Sequence, residues 1–419
     1  MGFFTETYLP ELNGTSVTLA YAKKELERAG HEVYIFAPKV KGYQEKDPTV
    51  MRLNSVKLVA SEPEQRMALP IPNESFRKTL RVKLDLVHAH GGGSFSFLGY
   101  QLALAKGYPF ILTYHAFLKH YTHYFLNGRL VNPRMVETAS RVFCNQADVV
   151  IAPTEKMKVE LESYGVTKPI EVVSNVFDLS QFGQAKKGFL HKKLKIDSGR
   201  PILLTVSRLG KEKNIDFLFR SFARVAKKDA SSVFVVVGDG PEKENLKKLA
   251  QKLKISSRVK FTGYVSKESL PEVYADAEIF LFASKSETQG MVIPEAAASG
   301  LPFVVVQDQA FVGVVEDGRN GFEIKGKESD FAQKVLELLK NTEKRKAFGD
   351  YSKQLIKENF SVEDSIDKLI KVYEQAREIR AQKPRLSNKI QGRVKDFASL
   401  FKVVKELNKR IGFFNGSDS

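Results

Sequence analysis

The sequence predicts an α/β chain of two Rossmann-like domains facing a cleft, with a C-terminal helical extension. Three observations predict it. Short β-rich apolar runs alternate with helical patterns, as the βαβ units of a parallel sheet require. The series stops at a polar stretch near Gln184 and then restarts. From Lys344 onward only helical patterning continues. A chain of 419 residues suits two or three domains. Its 42% hydrophobic and 11% aromatic residues exclude a wholly disordered chain. One cysteine, Cys144, excludes a disulfide scaffold and a thiolate metal cage. No apolar run approaches the roughly 18 residues of a transmembrane helix. Met1–Glu6 lacks the basic and apolar segments of a signal peptide, so a cytoplasmic location is expected.

In the first half, Met1–Thr5 reads as the stub of a first strand. Helix Val17–Ala29 follows and ends at Gly30, a residue that tolerates positive φ. Strands are expected at Glu32–Ala37, Leu86–Ala89, Phe110–Tyr114, Val149–Ala152 and Glu171–Val173. Residues 1–183 make the first domain, and the polar run 184–200 reads as a linker. The second domain, 201–360, opens with strand Ile202–Val206. Val233–Val237, Val259–Thr262, Ile279–Ala283 and Phe303–Val306 continue its sheet. Helices Ile215–Lys227, Glu242–Lys252, Ile293–Ser299 and Asp330–Leu339 belong to it, followed by Arg345–Asn359. A helix Val362–Arg380 is expected to return toward the first domain. Pro384 breaks the pattern, and 381–419 forms a basic tail with a helix over about Lys389–Arg410. The facing carboxyl edges of the two sheets should form the ligand cleft.

Four segments of the second domain carry candidate chemistry. In Ser284–Pro302, Glu287 would lie on a loop ending a strand and Glu295 about one turn inside the next helix. Amides of Gly290, Met291 and Val292 would face an anion at that helix start. Two carboxylates flanking such a site suit sugar and ribose hydroxyls. In Ser207–Asn214, the Arg208 guanidinium and Lys213 ammonium suit a diphosphate. Val237-Gly238-Asp239-Gly240-Pro241 is a Gly-rich turn that lets backbone approach closely. Gly263-Tyr264 could form a rim around a base.

In this order and spacing, the segments resemble the family 4 retaining glycosyltransferases, which have the GT-B fold. The likeness runs from about Phe3 to Glu374 and includes Thr5–Gly14, Val87–Gly91 and Val315–Gly321. It implies a nucleotide-sugar donor, a UDP- or GDP-hexose, bound mainly by the second domain, and an acceptor bound mainly by the first. It implies that Arg208 and Lys213 hold the diphosphate and Glu295 the ribose. Glu287 would lie near the donor sugar, with Gly14, Gly238, Tyr264 and Gly290–Val292 also on the donor side. His115, in Thr113-Tyr114-His115, matches the family histidine that contacts the donor sugar near the reacting carbon. Two positions depart from the family pattern. Gln289 replaces the usual aromatic before the motif glycine, and Asn175-Val176-Phe177-Asp178 replaces Asn-Gly-Ile-Asp.

Five of the seven histidines fall between His88 and His123. That cluster has no cysteine and only Asp85 as a carboxylate, so no metal is expected. The aromatic and His-rich run Tyr114–Phe125, with His120, His123 and Tyr124, resembles bacterial diacylglycerol glucosyltransferases. The resemblance to phosphatidylinositol mannosyltransferases is looser. It implies an acceptor hydroxyl carried on a lipid.

The formal net charge is +17. Arg377–Ser419 holds eleven basic and four acidic residues. On a helix its Phe397 and Phe401 share a face opposite most of the lysines, the pattern of an interfacial membrane helix. Arg77 and Lys78 form a second, less periodic basic segment. These features point to a peripheral enzyme on the anionic inner face of the cell membrane, with no nucleic-acid motif. Phosphatidylinositol, or a soluble or polysaccharide acceptor, stays open, as does a GT-B nucleotide-sugar epimerase.

Overall fold

The computed structural model describes residues 1–11, 13–57, 66–68, 81–115 and 133–383. The predicted Arg77, Lys78, His120, His123, Tyr124, Phe397 and Phe401 lie outside them, as does the tail helix. The first domain contains strands β1 (Gly2–Thr5), β2 (Tyr34–Pro38), β3 (Val50–Leu53), β4 (Ser55–Lys57), β5 (Arg66–Ala68), β6 (Val87–His90), β7 (Phe110–Thr113), β8 (Val149–Ala152) and β9 (Ile170–Val172). The second contains β10 (Ile202–Val206), β11 (Val233–Val237), β12 (Val259–Gly263), β13 (Ile279–Phe282), β14 (Phe303–Val306) and β15 (Gly321–Ile324).

The first sheet is seven-stranded and parallel in the order β3-β2-β1-β6-β7-β8-β9. The second is six-stranded and parallel in the order β12-β11-β10-β13-β14-β15. β4 and β5 pair separately as an antiparallel ribbon. In each large sheet the strand order reverses beside its first strand. The switch lies between β1 and β6 in the first and between β10 and β13 in the second. Crevices at such switch points are where open α/β sheets bind ligands.

Both sheets are covered on both faces, which is why their strands read as continuous apolar runs. Phe4, Phe36, Val87 and Leu112 face one core of the first sheet, while Phe3, Ile35 and Ile111 face the other. In the second domain Leu204, Val235 and Phe280 face one side, and Leu203, Phe234 and Leu281 the other. Each side chain of this size contributes about 2 kcal/mol by leaving water.

Most expected strands occur within one or two residues of their expected ends. The sequence reading omits β3 and β15, which are short edge strands. It also omits helix Ser94–Lys106, with buried Phe95, Ser96, Gly99, Tyr100, Leu102 and Ala103. That helix is apolar nearly all round, so no amphipathic stripe announces it. The sequence reading omits helices Pro133–Cys144 and Glu155–Ser163 as well. The stretch 184–200, expected as a linker, carries helix Phe189–Leu194, whose Leu190 is fully buried in the second domain's core. Asp276 accepts from the backbone N–H of Gly188 and Leu190 and ties that helix down.

Helix Val362–Ala381 leaves the second domain and packs on the first. Ile366, Leu369, Val372, Tyr373 and Ala376 join Phe3, Leu19 and Ile35 in one core. Gln375 donates to Glu171, and Lys383 pairs with Asp148. No described helix is long and apolar enough to cross a membrane.

Candidate active site

The second domain's switch point assembles the site from three strand ends. Ser207 donates its N–H to the Val237 carbonyl at 3.0 Å, Leu209 to Asp239 at 2.9 Å, and Gly238 to Gly263 at 3.0 Å. The loops after β10, β11 and β12 are thereby laced together. Gly238 has φ +124°, and a Cβ there would stand 2.0 Å from the Ser207 carbonyl oxygen. Glycine is required by that approach.

Arg208 is exposed on the first of these loops. Lys213 lies at its far end, and its Nζ donates to Glu287 Oε1 at 2.6 Å. The pair is largely covered, with side-chain exposures of 16% and 10%. Burial pushes the Glu287 carboxyl up, but the Lys213 charge and hydrogen bond outweigh it and hold the group below its ordinary range. Glu287 is therefore a carboxylate at neutral pH. Lys213 has three donors, and Glu287 takes one of them.

Glu287 lies on the loop between β13 and helix Val292–Ala298, as expected from the sequence. Gly290 on this loop has φ +64°, and a Cβ there would reach within 3.3 Å of Glu287 Oε2. Glu295 lies inside the helix and accepts from the Tyr274 hydroxyl at 2.7 Å. Burial raises its pKa to about 7, against the opposing pull of Tyr274 and Lys267. Tyr264 is 65% exposed at the end of β12.

The first domain brings its own switch point to the same cleft. Gly14 opens helix Gly14–Arg28, and a Cβ on it would stand 3.4 Å from Met291 Sδ. The predicted donor-side residues Gly14 and Met291 thus meet across the cleft. His115 follows β7, and its Nε2 lies 3.1 Å from His90 Nδ1. His88 Nε2 contacts Thr113 Oγ1 at 2.7 Å, and its Nδ1 contacts the Tyr373 hydroxyl at 2.9 Å. Burial lowers the pKa of His115 to about 4 and drives His88 and His90 well below their ordinary value. All three are neutral at physiological pH.

Several contacts in the cleft escaped sequence reading. Glu6, at the end of β1, accepts from the N–H groups of Phe95 and Ser96 at 2.8 and 3.1 Å. Burial raises its pKa to about 7. Gly91-Gly92-Gly93 was the available signal, since a Cβ on Gly93 would stand 2.4 Å from the Glu6 carboxyl carbon. Lys267 lies 4.5 Å from the centre of the Tyr21 ring and joins the domains on another side. Gln289 and Asn175, both in segments that depart from the family pattern, contact each other. Gln289 Oε1 accepts from Asn175 N–H at 2.9 Å.

Comparison with known proteins places this geometry. The family described as "Glycosyltransferase Family 4" matches residues 12–181, and "Glycosyl transferases group 1" matches residues 186–355. An α-monoglucosyldiacylglycerol synthase from Streptococcus pneumoniae is 33% identical over 81% of this chain and 78% of its own length. The chain belongs to glycosyltransferase family 4. A second α-monoglucosyldiacylglycerol synthase, from Acholeplasma laidlawii, is 30% identical over 82% of this chain and 89% of its own. Sucrose-phosphate synthase from Thermosynechococcus elongatus superposes with a TM-score of 0.73 at 17% identity, over 90% of this chain and 98% of that one. That likeness speaks to fold, which is GT-B. This glycosyltransferase is a hexosyltransferase with both domains of its family present.

Proposed function

We propose that this glycosyltransferase moves a hexose from UDP- or GDP-hexose to the hydroxyl of a diacylglycerol-type lipid, with retention, at the cytoplasmic membrane surface. The observation that carries the lipid acceptor is its 33% identity, across both domains, to a synthase named for monoglucosyldiacylglycerol. The basic tail of the sequence suits an anionic surface, where each near-surface Lys or Arg contributes about 1 kcal/mol.

In this reading the diphosphate lies beside Arg208 and Lys213, and the reacting carbon lies in the cleft near Glu287 and His115. The acceptor oxygen attacks from the face that the diphosphate leaves. The bond from the anomeric carbon to the phosphate oxygen breaks as the new glycosidic bond forms, and the acceptor proton passes to the departing phosphate. Fixed cations aimed at charge that develops in the transition state supply the stabilisation. They take the place of a divalent ion. Glu287 is held by Lys213 as an electrostatic partner of the positive sugar rather than as a covalent nucleophile.

The test supplies purified protein with a panel of nucleotide hexoses and with diacylglycerol, phosphatidylinositol or an oligosaccharide, and reads products by mass spectrometry. Hexosyl-diacylglycerol is expected, undiminished by a metal chelator. Transfer to an oligosaccharide alone would overturn the lipid reading. A strict divalent requirement would overturn the metal-free scheme. Conversion of the donor without any acceptor would favour an epimerase.

A further inference from the structure

Three hydrogen-bonding groups of the first domain converge on one short loop of the second. Thr154 Oγ1 donates to the Thr288 carbonyl at 2.7 Å. Lys156 Nζ donates to the Glu287 carbonyl at 3.3 Å and forms an ion pair with Asp308 at 2.6 Å. Asn175 N–H donates to Gln289 Oε1 at 2.9 Å. The Lys156–Asp308 pair is mostly covered, with side-chain exposures of 20% and 11%. Asp308 is itself fixed, since it accepts from Ala310 N–H at 2.8 Å. Three consecutive residues, Glu287 to Gln289, are therefore gripped from across the cleft. Lys213 holds the Glu287 carboxylate from within the second domain.

A trans peptide points its C=O and N–H in opposite directions. The first domain engages the carbonyls of Glu287 and Thr288. The N–H groups of Thr288 and Gln289 in those same peptides are thereby turned the other way, away from the first domain. We propose that Thr154 and Lys156 are positioning residues for transfer. By docking on this loop they set its peptide planes and the aim of Glu287, so the donor site takes its working shape only when the domains are closed. Neither residue touches the donor in this scheme. The proposal rests on the glycosyl-transfer reading of the cleft and adds a coupling between its two walls.

Hydrogen exchange of the loop amides, in the full chain, tests it without an acceptor. In Lys156→Met the amides of residues 288–291 should exchange faster than in the unaltered protein. The kcat for transfer should fall by about tenfold or more. The Kd for UDP or GDP, whichever the unaltered protein binds, should stay within about threefold. Lys156→Arg should restore both exchange and kcat. Thr154 also caps helix Glu155–Ser163, accepting from Met157 N–H. Thr154→Val is therefore read against Thr154→Ser, which keeps the hydroxyl and should keep the rate. Unaltered loop exchange in Lys156→Met would overturn the proposal. So would a loss of nucleotide binding in proportion to kcat. If the unaltered protein transfers nothing to diacylglycerol, the lipid reading fails, and the exchange result still decides the coupling.

Discussion

Lys213 holds the buried Glu287 carboxyl in its charged form. Replacing Lys213 with Ala leaves Glu287 buried without its cation, so its carboxyl should titrate higher, and transfer should fall at least about tenfold. A pH–rate profile with its acid limb moved upward would confirm the pairing, whereas an unchanged rate would refute it. Glu295 behaves in the opposite sense. Its pKa of about 7 lies above the unfolded carboxyl value of 4.5. The folded state therefore binds the extra proton between those values, and this group's contribution to stability is lost as pH rises through that window. Glu295→Gln should flatten the decline, gaining thermal stability relative to the parent at pH 8 more than at pH 5. Thermal melts across that range measure it. The spacing of Glu287, Gly290 and Glu295 was readable in the sequence because all three serve one strand–loop–helix turn. The Lys213–Glu287 contact joins residues 74 apart in sequence, and the Thr154 and Lys156 contacts span more than 130. No local pattern encodes such pairs.

At the scale of elements, helix Val362–Ala381 was visible from its spacing, and the structure adds its Ser361 cap, which accepts from Asp364 N–H. Its partner surface was not visible. The Tyr373 hydroxyl reaches His88 in the first sheet, so Tyr373→Phe leaves a buried ring nitrogen unpaired. A loss of about 1–3 kcal/mol in unfolding free energy is expected. Denaturant melts would show it, and a neutral result would refute a stabilising role for the Tyr373–His88 contact. The loop before helix Val292–Ala298 makes a second element-level case. Gly290→Ala forces a left-handed conformation costing roughly 1–2 kcal/mol. It also crowds Glu287, so transfer should fall more than nucleotide affinity. Helix Ser94–Lys106 shows the limit of pattern reading, because a helix apolar nearly all round has no polar stripe to mark its period.

For the whole molecule, the alternation of strands and helices carried the two-sheet architecture, and the polar run near residue 190 marked the change of sheet. The edge strands β3 and β15 and the closure of the cleft were hidden, since both depend on surfaces meeting at a distance. Of the +17 charge, +7 lies in the basic tail Arg377–Ser419. Anionic vesicles should sediment the full chain, less so in high salt. They should fail to sediment a chain ending at Lys383, and equal sedimentation of the two would dismiss the tail as an anchor.

The first domain also borrows part of its core from Val362–Ala381. During synthesis its sheet can emerge and pair early, but Phe3, Ile35 and Leu19 cannot be covered until nearly the whole described chain has left the ribosome. The second domain has no such debt and can fold as a continuous stretch. The first domain to be made is thus the last to be finished. A nascent chain arrested before Val362 should expose that apolar face and be protected by chaperones more strongly than one arrested after Ala381.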